Sequence, residues 1–239
     1  MATQEQIIAH DALIQSLSIQ FGEGLAERFA DLLNGIALLG ANPSRLQVQA
    51  LFAPLQSYVT DQRGLLDQIY QSNVLMNADV IDANLFSTQV ETAIQETLIS
   101  VQKSIDTQQN NIINSVVLGG IAGTAIALLI RELKPVVKKA INTIVNNVNT
   151  IIRNFDGAVT ILRSTVAGID KFRYVGGLIA TSRSFCTSHN NKIMTLKEIN
   201  TIWKSQTWGG KAPGNPFVVR GGYNCRHHFV PVKETNNGV

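Results

Sequence analysis

The chain has 239 residues, of which 45% are hydrophobic and 15% are charged, and this composition excludes an intrinsically disordered protein and favours a packed, helix-rich one. The formal net charge of +3 divides unevenly, because residues 1–130 hold 4 Lys/Arg and 12 Asp/Glu, whereas residues 131–239 hold 16 and 5. The 2 cysteines exclude a disulfide-rich secreted scaffold, and the N-terminal residues lack the basic region of a signal peptide, so we expect synthesis in a reducing cytoplasm.

Two capping boxes indicate helix starts in the N-terminal half. Residues 3–6 have the Thr-x-x-Gln spacing that satisfies free N–H groups at the start of a helix, and residues 44–47 have the equivalent Ser-x-x-Gln spacing. The first helix should extend to about Leu33, with Gly22 and Gly24 weakening its middle enough to break it. Pro54 should kink or interrupt the second helix.

A long helix is predicted from about Asp79, because neither proline nor glycine occurs before Gly119. Its apolar residues repeat with a spacing that is typical of a coiled-coil-like contact. A bundle within the subunit is the simpler interpretation of this pattern. The repeating residues are Ile94, Leu98, Val101, Ile105 and Ile112.

Residues 107–130 carry no charge, and residues 116–130 read VVLGGIAGTAIALLI. This apolar run is shorter than the roughly 20 residues that a membrane-spanning helix needs. Gly119, Gly123 and Ala127 form a stripe of small residues, which allows close helix packing in a protein core as well as in a bilayer. We therefore expect a buried helix here, with a membrane span as the alternative.

The next helix should be kinked or restarted at Pro135 and should end at Asp156 and Gly157. A shorter helix should follow it to about Ile169. The chain would then comprise an acidic helical region with the Gly-striped helix at 1–134, a heptad helix and connector at 135–170, and a basic Cys/His domain at 171–239. The apolar heptad residues are Val137, Ile141, Ile144, Val148, Ile151 and Phe155.

The C-terminal region differs in character, since residues 171–239 hold 10 Lys/Arg against 2 Asp/Glu. A third capping box at residues 195–198 predicts a short helix. Residues 217–219 and 229–232 are typical of two short strands, joined by a sharp turn at Gly221 and Gly222. We therefore expect a mainly α protein, an elongated bundle of long helices with a small α+β C-terminal domain.

Both cysteines and three of the four histidines lie between residues 186 and 228. Cys186, His189, Cys225 and His227 would supply the four N/S ligands that tetrahedral zinc takes. A Cys186–Cys225 disulfide would instead stabilise the domain by about 3–4 kcal/mol on the chain-entropy model. Two buried thiols beside hydrogen-bonded histidines are the third interpretation. All three predict that the two cysteines lie close together in space.

Catalytic signals are weak in this region. A Cys–His nucleophile needs a third group to orient the base, and only Glu198 and Glu234 are available in the tail. The chain also has no phosphate-binding Walker loop and no paired acidic motif for phosphoryl transfer. We therefore expect a protein that is not an enzyme and that has no cofactor, with zinc as the alternative.

Three motifs follow one another between about residues 170 and 232: Arg-x-Phe-Cys, a Lys-x-x-Thr-x-x-Glu-Ile helix start, and Gly-Gly-x-Asn-Cys-Arg-His-x-Phe-x-Pro-Val. In this order and spacing they resemble the C-terminal domain of tailed-phage minor head proteins, often called head morphogenesis proteins. His189 is not part of the shared motifs. The matching residues are Arg183, Phe185, Cys186, Lys192, Thr195, Glu198, Ile199, Gly221, Gly222, Asn224, Cys225, Arg226, His227, Pro231 and Val232.

The resemblance implies a structural virion protein of low copy number, inside the bacteriophage head or near the portal vertex. Its partners would be portal, capsid or scaffold proteins, further copies of itself, and the packaged DNA. Arg183, Arg220 and Arg226 are candidate contacts to DNA or to an acidic partner, and the alternative is that the arginines beside the cysteines pair with backbone carbonyls inside the domain. The alternative function is that of a membrane-active internal protein, ejected with the genome and entering the host envelope through residues 107–130.

Overall fold

The computed structural model describes residues 2–40, 42–78, 87–223 and 225–232. It confirms the predicted mainly α class, since long helices are followed by a small three-stranded antiparallel sheet near the C-terminus. Three predictions fall on residues outside these ranges: the start of the long helix at Asp79, the motif residue Asn224, and the part of the C-terminal domain that follows Val232, including Glu234.

Six helices come first in the described part of the chain, and three short strands interspersed with three short helices follow. In order, the elements are α1 (Gln4–Leu38), α2 (Arg45–Ala50), α3 (Ala53–Thr60), α4 (Arg63–Met76), α5 (Ser87–Ile121), α6 (Ile126–Val166), β1 (Lys171–Val175), α7 (Ser184–His189), β2 (Ile193–Thr195), α8 (Leu196–Ser205), α9 (Pro216–Val219) and β3 (His228–Pro231).

The chain divides into two compact units that are not consecutive in sequence. Unit 1 comprises Met1–Gln15, Leu66–Gln95 and Thr150–Val239, and unit 2 comprises Ser16–Leu65 and Glu96–Asn149. This division differs from the three consecutive regions that we predicted, 1–134, 135–170 and 171–239. The reason is that single long helices contribute residues to both units, so the basic tail folds together with helical segments that are distant from it in sequence.

Helix α1 is continuous through the two glycines that were expected to break it. Gly24 leaves room for the side chain of Tyr58, which would overlap a Cβ atom at that position. The Tyr58 ring lies 5.4 Å from the Phe21 ring, and its hydroxyl donates to the Phe21 carbonyl at 3.1 Å. Tertiary packing within unit 2 therefore outweighs the low helix propensity of glycine here.

The prediction of one buried helix across residues 116–130 is wrong. Helix α5 ends at Ile121 and α6 begins at Ile126, with Gly123 between them at a φ of +68°. The small-residue stripe is thus split by a turn in the left-handed conformation that glycine adopts without strain. Leu118 and Ile121 are exposed at this turn. Within the described ranges, none of the helices combines the length and the apolarity needed to cross a bilayer.

Helix α6 continues through both Pro135 and Gly157. Pro135 lies on an exposed part of the helix, as does Arg131, so water can satisfy the Arg131 carbonyl that proline leaves without its helical partner. Gly157 does not end the helix either. It has a packing role instead, since its missing side chain makes room for the Phe217 carbonyl. The buried face of α6 comprises Leu133, Val137, Ala140, Ile144, Val148, Ile152, Phe155 and Val159.

The sheet has the order β2–β1–β3, and β1 pairs antiparallel with both neighbours. In register, Phe172 lies opposite Met194 on one side and Pro231 on the other. The predicted strand at residues 217–219 is wrong, since helix α9 occupies this position. Its cause is local: the Asn215 side chain accepts a hydrogen bond from the Phe217 N–H at 2.9 Å, and Pro216 occupies the first helical position.

Candidate functional site

Three of the four predicted Cys/His residues lie together in unit 1. Cys186 is on α7, whereas Cys225 and His227 belong to the segment that leads into β3. The two Sγ atoms are 3.8 Å apart, and one nitrogen of His227 and both sulfurs lie within 4.8 Å of one another. His189 is not in this group, because its Nδ1 lies 2.8 Å from the Phe185 carbonyl within α7. We call Cys186, Cys225 and His227 the thiol cluster.

Tyr174 on β1 connects the members of the thiol cluster. Its hydroxyl oxygen lies 3.4 Å from Cys186 Sγ and 3.7 Å from Cys225 Sγ. Its ring stacks on the His227 ring at 5.1 Å and meets the Phe185 ring edge-on at 5.3 Å. The cluster therefore lies at one side of an aromatic core and is held by three separate elements.

Two glycines allow the backbone to approach the thiol cluster. A Cβ atom at Gly221 would lie 2.8 Å from both sulfurs, and a Cβ atom at Gly176 would lie 2.6 Å from the His227 ring. The Gly176 conflict includes the His227 Cα atom at 2.7 Å, and both cysteines are buried, so in each case a tightly packed neighbour would have to shift. The Gly221-Gly222 pair thus has a packing role at Gly221, because only a residue without a side chain fits against both sulfurs.

The two thiols are not equivalent. The hydrogen bond from Cys186 lowers the pKa of Cys225 well below its usual value, against the opposing effect of burial, and His227 lowers it further. The same hydrogen bond, together with burial, raises the pKa of Cys186. Burial, then the neighbouring sulfurs, raise the pKa of Tyr174, so its hydroxyl stays protonated. Within the pair, Cys225 is therefore the more acidic thiol.

A pocket with a volume of about 420 Å³ opens onto the thiol cluster. Arg183 and Arg226 also line it, together with Tyr223. Arg183 donates to the Tyr223 carbonyl at 2.6 Å, and Arg226 is exposed. Two of the three predicted arginine contacts are therefore available beside the cluster, in a pocket whose charged lining is positive.

The third arginine, Arg220, is not a surface contact, and this prediction is wrong. Its side chain is 1% exposed, and its guanidinium donates to Asp156 Oδ2 at 3.2 Å. A buried guanidinium needs a carboxylate partner, because an unpaired charge in a protein interior is strongly disfavoured. Arg220 therefore contributes to the framework of unit 1 and is unavailable to DNA.

The sequence did not reveal the buried polar network around Asp156. His10 Nε2 lies 2.9 Å from Asp156 Oδ1, and the Asn73 amide donates to the same oxygen at 2.8 Å. Burial on its own would raise the pKa of Asp156, but His10 and Arg220 together hold it far below its ordinary value. The partners are 64 to 146 residues apart in sequence, so no local spacing indicates the network.

The network also places Ser72 beside His10, with 2.8 Å between Ser72 Oγ and His10 Nδ1. The side-chain contacts thus run from serine to histidine to aspartate, as they do in the catalytic triad of a hydrolase. Ser72 lies within α4, however, where backbone N–H groups are used by the helix itself. An acyl-transfer site requires free donors for the oxyanion beside its nucleophile. We interpret these three residues as part of the structural network.

Comparison of the sequence with protein-family models, with curated proteins and with solved structures found no match.

Proposed function

We propose that the chain is a structural component of a tailed-bacteriophage virion, a minor head protein that lies at the capsid interior or the portal vertex. One observation carries the proposal: each of the three motifs contributes at least one residue to a single buried core. Phe185, Cys186, Ile199 and Cys225 belong to the same core cluster in unit 1. Motifs that define a core in this way are expected of a folding module that a family retains for assembly.

The helix-start motif has a structural role of the same kind. The Thr195 hydroxyl accepts from the Glu198 N–H at 3.2 Å, and the Glu198 carboxylate accepts from the Thr195 N–H at 2.7 Å. This reciprocal cap fixes the start of α8 directly after β2. Ile199 and Trp203 then point from α8 into the core. Each of the motifs thus specifies a junction or a core position of the module.

The surface charge of the module suggests an anionic partner. Lys192, Lys197, Lys204 and Arg226 are exposed, whereas acidic residues are scarce in this part of the chain. Packaged DNA and the acidic surface of a portal or scaffold protein both fit this charge. Inside a filled head, contacts to DNA phosphates would be numerous and salt-dependent.

Unit 2 offers a surface for association between copies. Leu38, Leu46 and Ile121 are 88%, 77% and 77% exposed. Gly120 packs against Asn42 and Pro43, so the two turns that are close to these three apolar residues in sequence lie beside each other. Clusters of exposed large apolar side chains are characteristic of interaction sites. We include self-association through this surface in the proposal.

The direct test is the protein content of purified particles of the phage that encodes the chain. Mass spectrometry of gradient-purified heads should detect the protein at a constant ratio to the major capsid protein, and protease should not digest it while the heads are intact. A phage in which the gene is deleted should yield heads defective in assembly or DNA content, and the wild-type gene should restore them. Presence in the lysate with absence from the particles would overturn the proposal.

The alternative, a membrane-active protein, is favoured by the exposed apolar residues Leu118 and Ile121 at the uncharged turn between α5 and α6. Liposome flotation separates the two functions. A membrane-active protein floats with the vesicles, and substitution of Ile121 by Glu would prevent flotation. A purely structural protein stays in the aqueous fraction in both forms.

A further inference from the structure

The thiol cluster has the dimensions of a tetrahedral metal site. With Zn–S bonds of about 2.3 Å, two thiolates on one tetrahedral zinc ion are separated by about 3.8 Å. The observed Sγ–Sγ distance is 3.8 Å, and a His227 nitrogen lies within 4.8 Å of both sulfurs. A disulfide would require the sulfurs to approach to about 2.0 Å. The geometry therefore matches a shared cation without any displacement of the two sulfurs.

The histidine of the cluster is also short of a partner. His227 is 2% exposed, and its Nε2 has no hydrogen-bond partner in the part of the chain that the structure describes. A buried ring nitrogen without a partner is disfavoured unless something else satisfies it. A metal ion that His227 bound through Nε2 would do so.

The surroundings of the cluster have the character of an outer coordination shell. Metal-bound ligands are usually oriented by hydrogen bonds and packing from neighbouring groups. The Tyr174 hydroxyl is within hydrogen-bond distance of both sulfurs, and its ring stacks on His227. Gly221 brings the backbone against both sulfurs. Each of the three ligands is thus held in place by a residue that does not itself bind the ion.

We propose that Cys186, Cys225 and His227 bind one Zn²⁺ ion, with the fourth coordination position open to the adjacent pocket. On binding, each thiol that still carries a proton releases it to solvent, because thiolates are the metal ligands. Two thiolates neutralise the charge of the ion. Arg183 and Arg226 then make the pocket attractive to a small anion, such as a carboxylate, or to a water molecule in the fourth position.

This site differs from the four-ligand hypothesis drawn from sequence, because His189 is replaced by an open position. Structural zinc sites are normally closed by four protein ligands, whereas sites with three protein ligands keep an exchangeable position. The proposal therefore goes beyond a role in the virion. It assigns to the module a metal centre that a ligand in the pocket, such as an acidic side chain of a neighbouring protein, reaches directly.

The test begins with the wild-type full-length chain, purified without chelator and with a thiol reductant. Inductively coupled plasma mass spectrometry should find one zinc per chain. Replacement by Co²⁺ should give the visible absorption bands of a tetrahedral site and the near-ultraviolet thiolate charge-transfer band. These spectra need no variant, so they test the proposal even if the ligand variants do not fold.

Variants then identify the ligands. Cys186→Ser, Cys225→Ser and His227→Asn should each reduce the bound metal at least tenfold, with circular dichroism as the check on folding. His189→Asn is the matched control, since this histidine is also buried and close in sequence but contacts the Phe185 carbonyl, and it should retain one zinc. Addition of acetate should shift the Co²⁺ bands through the open position, and Arg226→Ala should weaken that shift.

The outcomes are distinct. One zinc per chain that is lost in His227→Asn and kept in His189→Asn supports the proposal. Zinc lost in His189→Asn as well would overturn the open position and support a closed four-ligand site. A mass lower by two hydrogens in the non-reduced protein would show a disulfide, and two titratable thiols without metal would show a hydrogen-bonded pair. Either result rejects the metal centre and leaves the virion proposal untouched.

Discussion

Replacement of Asp156 by Asn tests how unit 1 is held together. Asp156 and Arg220 are each 1% exposed, and their side chains are 3.2 Å apart. The substitution keeps the size of the side chain but leaves the Arg220 charge buried without a carboxylate. Loss of one partner from a buried ion pair costs about 3–5 kcal/mol, because the remaining charge is not compensated. This is a large fraction of the stability of a typical domain.

The assay is urea denaturation followed by tryptophan fluorescence. The two tryptophans of the chain are Trp203 and Trp208, and both belong to unit 1, so the signal reports this unit alone. Asp170→Asn is the matched control, since it makes the same chemical change at an exposed position of the same unit. It should alter the free energy of unfolding by less than about 0.5 kcal/mol.

The effect of Asp156→Asn should depend on pH. The carboxyl has a lowered pKa in the folded chain, with His10, Arg220 and His228 facing it, whereas in the unfolded chain its pKa is about 3.9. As the pH falls below about 4, the unfolded chain binds the proton first, so the stability due to this group is lost. The difference between wild type and variant should therefore be largest near neutral pH and shrink in acid. A variant within about 1 kcal/mol of wild type at pH 7 would refute the reasoning.

Three further predictions test separate parts of the molecule. Gly221→Ala should lower the stability of unit 1 by about 1–3 kcal/mol through overpacking against the two sulfurs, whereas Gly177→Ala, which meets no atom within 4 Å, should not; equal urea midpoints would contradict the close contact. Ile144→Asp combined with Val148→Asp should abolish folding of unit 2, because both residues are fully buried. Circular dichroism of the double variant should show the loss of helix, whereas Asn142→Asp, at an exposed position, should leave the helix content unchanged. Arg226→Ala should reduce the salt dependence of DNA binding, measured by fluorescence anisotropy, by about one phosphate contact, whereas an unchanged slope would exclude this residue from the DNA contact.

Local sequence signals predicted the capped helix starts well, whereas β3 is the one predicted strand that the described part of the chain contains. All three capping boxes have the reciprocal hydrogen bonds that their spacing implies. Strands occur only after residue 170 in the described part of the chain, as expected. The capping boxes depend on interactions between residues three positions apart, which a single sequence displays directly.

Helix ends and buried faces were predicted less well, because they depend on partners that are distant in sequence. A strict heptad assigned Ile141 and Ile151 to the buried face of α6, whereas the fully buried residues are Ala140 and Ile152. A straight helix has 3.6 residues per turn and drifts from a 3.5-residue repeat by about 20° per heptad. Gly157 illustrates the same limit, since its missing side chain admits the carbonyl of Phe217, a residue of α9 that is distant in sequence.

The thiol cluster was predicted only in part, because some of its features depend on contacts that the sequence does not display. The proximity of Cys186 and Cys225 followed from the clustering of scarce residues in one region. The exclusion of His189 could not be predicted in this way. It depends on the direction of one turn of α7, in which the imidazole lies against the Phe185 carbonyl. The open pocket likewise depends on Arg183 and Tyr223, which meet through a backbone carbonyl.

The buried network and the thiol cluster are connected through one strained residue. Arg220 has φ 49° and ψ −130°, a conformation that residues with a side chain rarely adopt. Such a conformation costs about 1–3 kcal/mol and persists only where the surroundings enforce it. Asp156 lies on α6, and its ion pair with Arg220 holds the arginine side chain against this helix. The next residue, Gly221, lies against both sulfurs. The charge pair on the helix therefore fixes the backbone that closes the thiol cluster. Asp156→Asn should consequently weaken metal retention even where unit 1 remains folded, and Asp170→Asn should not. Equal zinc content in the two folded variants after dialysis against a weak chelator would show that the ion pair and the cluster are independent.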